Sequence, residues 1–198
     1  MAKHSTIRKD AKCTSFGGVN MESSIYLNTP CGSIRGSLRD GVKRFLGIRY
    51  ATAKRFEYAH EVTKWEGVYD AISFGPAPIQ ARTYPQYQEP DGHSEKEFLA
   101  GEEVTYSEDC LFLNIFAPDT AREGSKLPVL VYIHGGGFTG GCGHEKHFDG
   151  PIWPAHGIIG VTLNYRLGPL GFVCLPELKE EAGFTGNYGL YDQLTALR

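Results

Sequence analysis

The residues with the most chemical consequence are His134-Gly135-Gly136-Gly137-Phe138. Three successive glycines let a reacting group approach the main chain, because no side chain blocks the N–H groups and φ is unrestricted. Two such donors aimed at one point stabilise the anionic oxygen of a tetrahedral acyl-transfer intermediate, and losing one costs about 3–4 kcal/mol in catalysis. The main-chain N–H groups of this glycine turn are the candidate donors. An attacking hydroxyl does not accompany them. A nucleophilic serine on a sharp strand-to-helix turn needs glycines on both sides, G-x-S-x-G, and none of the ten serines has Gly at both −2 and +2.

Two other chemistries compete for the same stretch. Gly135, Gly137 and Gly140 satisfy G-x-G-x-x-G after a strand, the spacing of a dinucleotide-binding turn. That turn requires a helix to begin at once, with its N-terminus facing a pyrophosphate. Gly140, Gly141 and Gly143 follow instead, and each disfavours helix by about 1 kcal/mol. The residue after the second apolar strand is Asn164, not an acid, and no Walker lysine follows the glycines. Cys142, His144 and His147 suggest a metal cluster, but the two histidines are three residues apart and miss the i, i+4 register of H-E-x-x-H. A solvated loop without metal is the expectation there.

The elements that must position the glycine turn are legible in the pattern. Pro128 to Ile133 is a continuous apolar, β-branched run, and Gly157 to Leu163 has the same character. Such runs fit strands buried on both faces of a parallel sheet, and a crossover between them predicts an α/β sheet. Upstream, 24–28, 33–38 and 43–48 are strand-length runs separated by Thr29-Pro30-Cys31-Gly32 and Arg39-Asp40-Gly41. The second of these is an Asp-Gly hairpin signal, so an antiparallel meander is expected. Residues 75–107 are expected to be a surface loop region, 111–116 a strand, and a capped helix is predicted from Asn187.

Composition narrows the function classes. Twenty Lys and Arg against 23 Asp and Glu leave a net charge of −3 in 198 residues, so nucleic-acid binding has no electrostatic footprint. No apolar run approaches the ~20 residues of a membrane helix. Five cysteines without a C-x-x-C pair argue against a zinc ribbon or a disulfide framework and for a reducing, cytoplasmic location. Residues 1–20 are basic and polar without the apolar core of a signal peptide, and are expected to be a disordered tail. The patterned domain is expected to span 21–198, with Met21 a candidate translation start.

The chain is similar to the N-terminal part of a type-B carboxylesterase, the cholinesterase-like family of α/β-hydrolases. Five ordered blocks carry the resemblance. They are Phe45-Leu46-Gly47-Ile48-Arg49-Tyr50-Ala51 with Arg55-Phe56, Glu108 to Ile115, the glycine turn, Asn164 to Phe172, and Gly186 to Gln193. Arg49 stands where the family usually has proline. The resemblance implies an antiparallel meander leading into a mostly parallel sheet, and serine acyl transfer on a small-molecule ester without cofactor or metal. It also implies that the Gly136 and Gly137 amides form part of the oxyanion hole, with Phe138 lining the acyl side and His134 structural. Arg55 with Glu108, and Arg166 with Asp192, are implied as buried structural ion pairs. Cys110 pairs with an upstream cysteine in many members, but Ile79 occupies that region here.

The serine, acid and histidine that such chemistry needs are expected outside these 198 residues, so the chain alone is expected to be inactive. The strand that carries the serine lies beside 129–133 in this fold. Without it that strand becomes an edge, open to a complementing C-terminal chain or to self-association. A non-catalytic, cholinesterase-like binding protein is the alternative role that the resemblance leaves open.

Overall fold

The structure is a computed structural model, and it describes residues 22–81, 104–145 and 152–198. The expected tail at 1–20, His147 and part of the expected loop at 75–107 lie outside those residues. The meander comes first: β1 (Ser23–Thr29), β2 (Gly32–Arg39) and β3 (Val42–Arg49) run antiparallel. Asp40 and Gly41 both take positive φ, 52° and 75°, the conformation that a two-residue hairpin turn demands.

After the short pairs β4 (Ala51–Thr52) with β5 (His60–Glu61), and β6 (Val68–Asp70) parallel to β2, the chain reaches β7 (Ala77–Pro78) and β8 (Tyr106–Ser107). These last two pair in parallel, and Ala77 and Pro78 are buried. The described ends of the 75–107 stretch are therefore anchored structure, not the surface loop that their weak periodicity suggested. Two-residue strands are too short to leave a period-2 signal.

The centre is β9 (Phe112–Pro118), flanked by β3 on one side and β11 (Ile159–Leu163) on the other, both antiparallel to it. β10 (Val129–Ile133) adds parallel to β11, giving the order β1-β2-β3-β9-β11-β10. The crossover between β10 and β11 contains α1 (Ile152–Ala155), whose Trp153 ring covers Gly160 so closely that no Cβ would fit there. Three helices follow: α2 (Gly168–Phe172), α3 (Pro176–Ala182) and α4 (Tyr188–Ala196). Asn187 precedes α4 in the left-handed region (φ 55°), and its side chain makes no cap. Its carbonyl takes the Leu190 and Tyr191 amides instead.

The two apolar runs have different fates. β11 is largely buried, with Leu163 and Thr162 fully covered. β10 is not covered on both faces as its composition predicts: Val129, Leu130, Val131 and Ile133 are 58%, 36%, 39% and 39% exposed. It is the edge strand of the described sheet. No described helix is long and apolar enough to cross a membrane.

Candidate active site

The glycine turn leaves the end of β10 and is held from behind. The His134 ring is buried and stacks on Tyr165 at 4.6 Å between centroids, while the Tyr165 hydroxyl donates to the His134 carbonyl at 3.3 Å. This is a packing role, in keeping with the structural reading of His134. Further along, Gln80 grips Gly141 twice: its Nε2 donates to the Gly141 carbonyl (2.9 Å), and its Oε1 accepts the Gly141 N–H (2.8 Å).

Two residues on, Gly143 meets a buried polar cluster. Asn164 Oδ1 accepts the Gly143 N–H at 2.7 Å, and Asn114 Nδ2 and the Thr162 hydroxyl donate to the Gly143 carbonyl. Asn114 Oδ1 also takes the Gly47 amide at the β3 bulge (2.9 Å), and Asn164 Nδ2 donates to the Pro76 carbonyl (2.9 Å). A fully satisfied network of this kind rigidifies the backbone that it touches. Asn114 and Asn164 fall inside the family blocks without a role assigned to them there, and Gln80 and Thr162 belong to no motif. The signal was polar side chains inside or just after otherwise apolar strands, where each needs a partner.

Within this frame, Gly136 adopts φ 116° and Gly137 φ 60°, and a Cβ on Gly136 would drive into the Gly140 carbonyl. Only glycine fits at 136. The Gly136 carbonyl accepts from the Thr139 amide and hydroxyl, both at 3.1 Å. Among the described residues neither the Gly136 nor the Gly137 N–H donates to a partner, and the space where a Cβ of Gly137 would stand is open. Phe138 is also left-handed (φ 63°), and its carbonyl accepts the Gly168 N–H at 2.7 Å. Its ring is half exposed and lies 4.8 Å from Phe172. Phe138, Thr139, Gly168, Pro169, Phe172 and Val173 line an open apolar groove of about 450 Å³ beside the turn.

The two implied ion pairs both form, but only one is buried. Arg166 meets Asp192 through Nε at 2.8 Å and Nη2 at 2.7 Å, with side-chain exposures of 5% and 0%. The Arg166 amide also donates to Asp192, and Nη1 donates to the Glu57 carbonyl at 2.8 Å. Arg55 pairs with Glu108 in a two-pronged contact that is 59% and 40% exposed. Its exposure corrects the expectation of burial: the loop that carries it runs over the surface. The Arg55 guanidinium holds the Glu108 carboxyl below the usual carboxylate range. Beside it Arg49, the residue in place of proline, forks onto Asp109 and lies 4.5 Å over the Phe112 ring.

Other candidates separate. The residues after the glycines are turns, not a helix, which removes the geometry that a dinucleotide turn needs. Cys142 and His144 are buried, with His144 stacked on Phe74, and they do not form the solvated loop that was expected. Among the described residues no three His, Cys, Asp or Glu side chains are placed to hold a metal. Cys110 is a free buried thiol, pushed up to about 12 chiefly by burial, and Ile79 is exposed.

Comparison with known proteins agrees with this architecture. The model of the carboxylesterase family matches residues 23–198. Para-nitrobenzyl esterase of Bacillus subtilis (strain 168) is 37% identical over 182 residues, covering 87% of this chain and 33% of that protein. Neuroligin-2 of Mus musculus is 35% identical over 217 residues, covering 92% and 25%. Among solved structures, a para-nitrobenzyl esterase superposes with a TM-score of 0.69 at 37% identity, over 87% of this chain and 33% of that one. A Clostridium hathewayi esterase described as able to hydrolyse aliphatic aromatic polyesters gives a TM-score of 0.73 at 33% identity, over 89% and 35%. The chain thus spans about a third of the length of the esterases it matches. By its sequence blocks, its sheet and these similarities, the chain belongs to the carboxylesterase family of α/β-hydrolases.

Proposed function

We propose that this chain contributes the oxyanion-binding part of a carboxylic-ester hydrolase that works by serine acyl transfer. The supporting observation is the pair of unengaged amides at Gly136 and Gly137, on a turn held by Gln80, Asn164 and Tyr165. Such pre-set donors stabilise charge as it develops and need no reorganisation during reaction. In the proposed reaction a serine hydroxyl attacks the ester carbonyl carbon and gives its proton to a histidine. The carbonyl oxygen becomes anionic and takes hydrogen bonds from the two amides. Collapse of this intermediate expels the alcohol, which takes the proton from the histidine. Water then releases the acid by the same two steps, and no cofactor is consumed. Phe138 and the groove beside it give the acyl or alcohol group an apolar surface.

In this reading the nucleophile, with its acid and base, is supplied by other polypeptide; what supports it is that no serine here has the required glycine context. A fluorophosphonate probe reads this directly. The purified chain should remain unlabelled, and a labelled serine within residues 1–198 would overturn the division of labour. The second reading, a binding protein of the same family without ester chemistry, draws on the near-equal identity to neuroligin-2. Under that reading a polypeptide extending this chain to the length of its relatives would also escape the probe. A cytoplasmic location belongs to the same proposal and rests on the odd number of cysteines and the absence of a C-x-x-C pair.

A further inference from the structure

The freedom that opens a glycine triplet to a reacting group also lets its peptide planes turn over, because neither flanking residue has a Cβ to oppose the rotation. A peptide unit is planar and trans, so its C=O and N–H point in opposite directions. Half a turn of the Gly136–Gly137 plane would therefore put the Gly136 carbonyl where the Gly137 N–H now points. A carbonyl dipole in that place repels an anionic oxygen instead of holding it. Whatever grips the Gly136 carbonyl decides where the Gly137 N–H points.

Two donors grip it, and both belong to Thr139. The Thr139 amide and the Thr139 hydroxyl each lie 3.1 Å from the Gly136 oxygen. The amide closes a four-residue turn whose central residues, Gly137 and Phe138, have φ of 60° and 63°, the left-handed pair of a type I′ turn. Phe138 takes that conformation against its own steric preference. The main-chain bond thus works against strain, and the hydroxyl adds a second bond to the same oxygen. The Gly136 N–H is fixed differently. It shares its plane with the Gly135 carbonyl, which lies 2.9 Å from Nδ1 of the buried His134 ring. The same carbonyl is packed so closely on Gly141 that a Cβ there would stand 2.5 Å from its oxygen. The Gly135–Gly136 plane is walled in by the fold, whereas the space beside Gly137 is open.

We propose that Thr139 is a positioning residue whose hydroxyl locks the Gly136–Gly137 peptide in the orientation that presents the Gly137 N–H. The catalytic meaning of the lock rests on the reading of that amide as an oxyanion donor; the lock itself does not. Its groups all lie within residues 136–139, so it needs no neighbour from elsewhere. Valine at 139 keeps the shape and the main-chain bond but removes the hydroxyl donor, and serine keeps the donor. Losing one such bond lowers the ratio of locked to turned-over peptide by about two- to tenfold.

NMR of the full, isotopically labelled chain tests this. In a common alignment medium, the residual dipolar coupling of the Gly137 N–H reports the direction of that bond, and the Gly136 carbonyl shift reports its hydrogen bonding. Thr139→Val should move both, and Thr139→Ser should leave both at the unmutated values. The amide couplings of β9 should be alike in all three chains, which shows the fold intact. A Gly137 coupling unchanged in Thr139→Val, the same change in Thr139→Ser, or an equal change along β9 would overturn the proposal. No ester takes part, so these outcomes judge the lock alone. A lock that holds in the spectra while ester turnover ignores Thr139→Val would instead overturn the reading of Gly137 as a donor.

Discussion

β11 and β10 are neighbouring strands with almost the same apolar, β-branched composition, yet one is largely buried and the other largely exposed. β11 lies against β9, under the Trp153 ring, and its C-terminal end leads into Asn164 and the buried Arg166–Asp192 pair. Among the described residues β10 has β11 on one side only, and most of its side chains are exposed. The difference shows that composition reports what a strand is suited to, whereas neighbours decide what it gets. It also divides the functional turn: the back of the glycine loop is fixed by the covered region, and its front opens beside the bare one.

The largest expected effect of breaking the covered side is at Asp192. Asp192→Ala leaves the Arg166 guanidinium buried without its partner and should cost about 3–5 kcal/mol in urea unfolding. Replacing Val129 on the bare side should cost far less. The turn comes next. Gly136→Ala places a Cβ into the Gly140 carbonyl at a left-handed φ, and a loss of about 1–3 kcal/mol is expected. Gly124→Ala, at a similarly left-handed but open position, separates clash from conformational strain.

Gln80→Ala sharpens the comparison further. It removes both bonds to Gly141 and should cost about 1–2 kcal/mol. Faster hydrogen exchange at the Gly141 amide, with β9 unchanged, would show that the pin acts on the turn alone. Cysteine reactivity maps the same boundary. Exposed Cys174 should alkylate in the folded chain, and Cys110 only on unfolding, as read by peptide mass. Because burial raises the Cys110 thiol from 9.0 to about 12, it stays protonated in the fold while the unfolded thiol ionises. Stability is therefore unaffected below about pH 9 and declines as pH rises from there toward 12.

The smallest effect belongs to the exposed Arg55–Glu108 pair. Glu108 titrates below its ordinary value of 4.5, so whatever the pair contributes is present above that value and lost as pH falls through the lowered one. Removing Arg55 should restore the ordinary titration of Glu108, observable by carboxyl NMR, with little change in stability.

Much of this arrangement was legible in the residues. The Asp40-Gly41 hairpin, the runs that became β9, β10 and β11, and the pairing of Arg166 with Asp192 followed from turn chemistry, periodicity and family blocks. Burial did not. Whether a pair such as Arg55 with Glu108 is covered depends on chain segments far away in sequence, and the two pairs look alike as text. Nor did the pins of the turn show, because Gln80 reaches Gly141 across 61 positions and belongs to no local pattern. The bare state of β10 was foreseen only by asking which neighbour the strand lacks.

The most direct test is hydrolysis of p-nitrophenyl acetate by the 198-residue chain, alone and mixed with a polypeptide carrying the remaining two thirds of the Bacillus subtilis para-nitrobenzyl esterase. No turnover above buffer is expected from the chain alone. Turnover is expected from the mixture, falling about 10²–10³-fold when Gly136 is replaced by Ala. Hydrolysis by the chain alone, or complemented hydrolysis that ignores Gly136→Ala, would contradict the assignment of Gly136 and Gly137 as donors to a reaction whose nucleophile lies elsewhere.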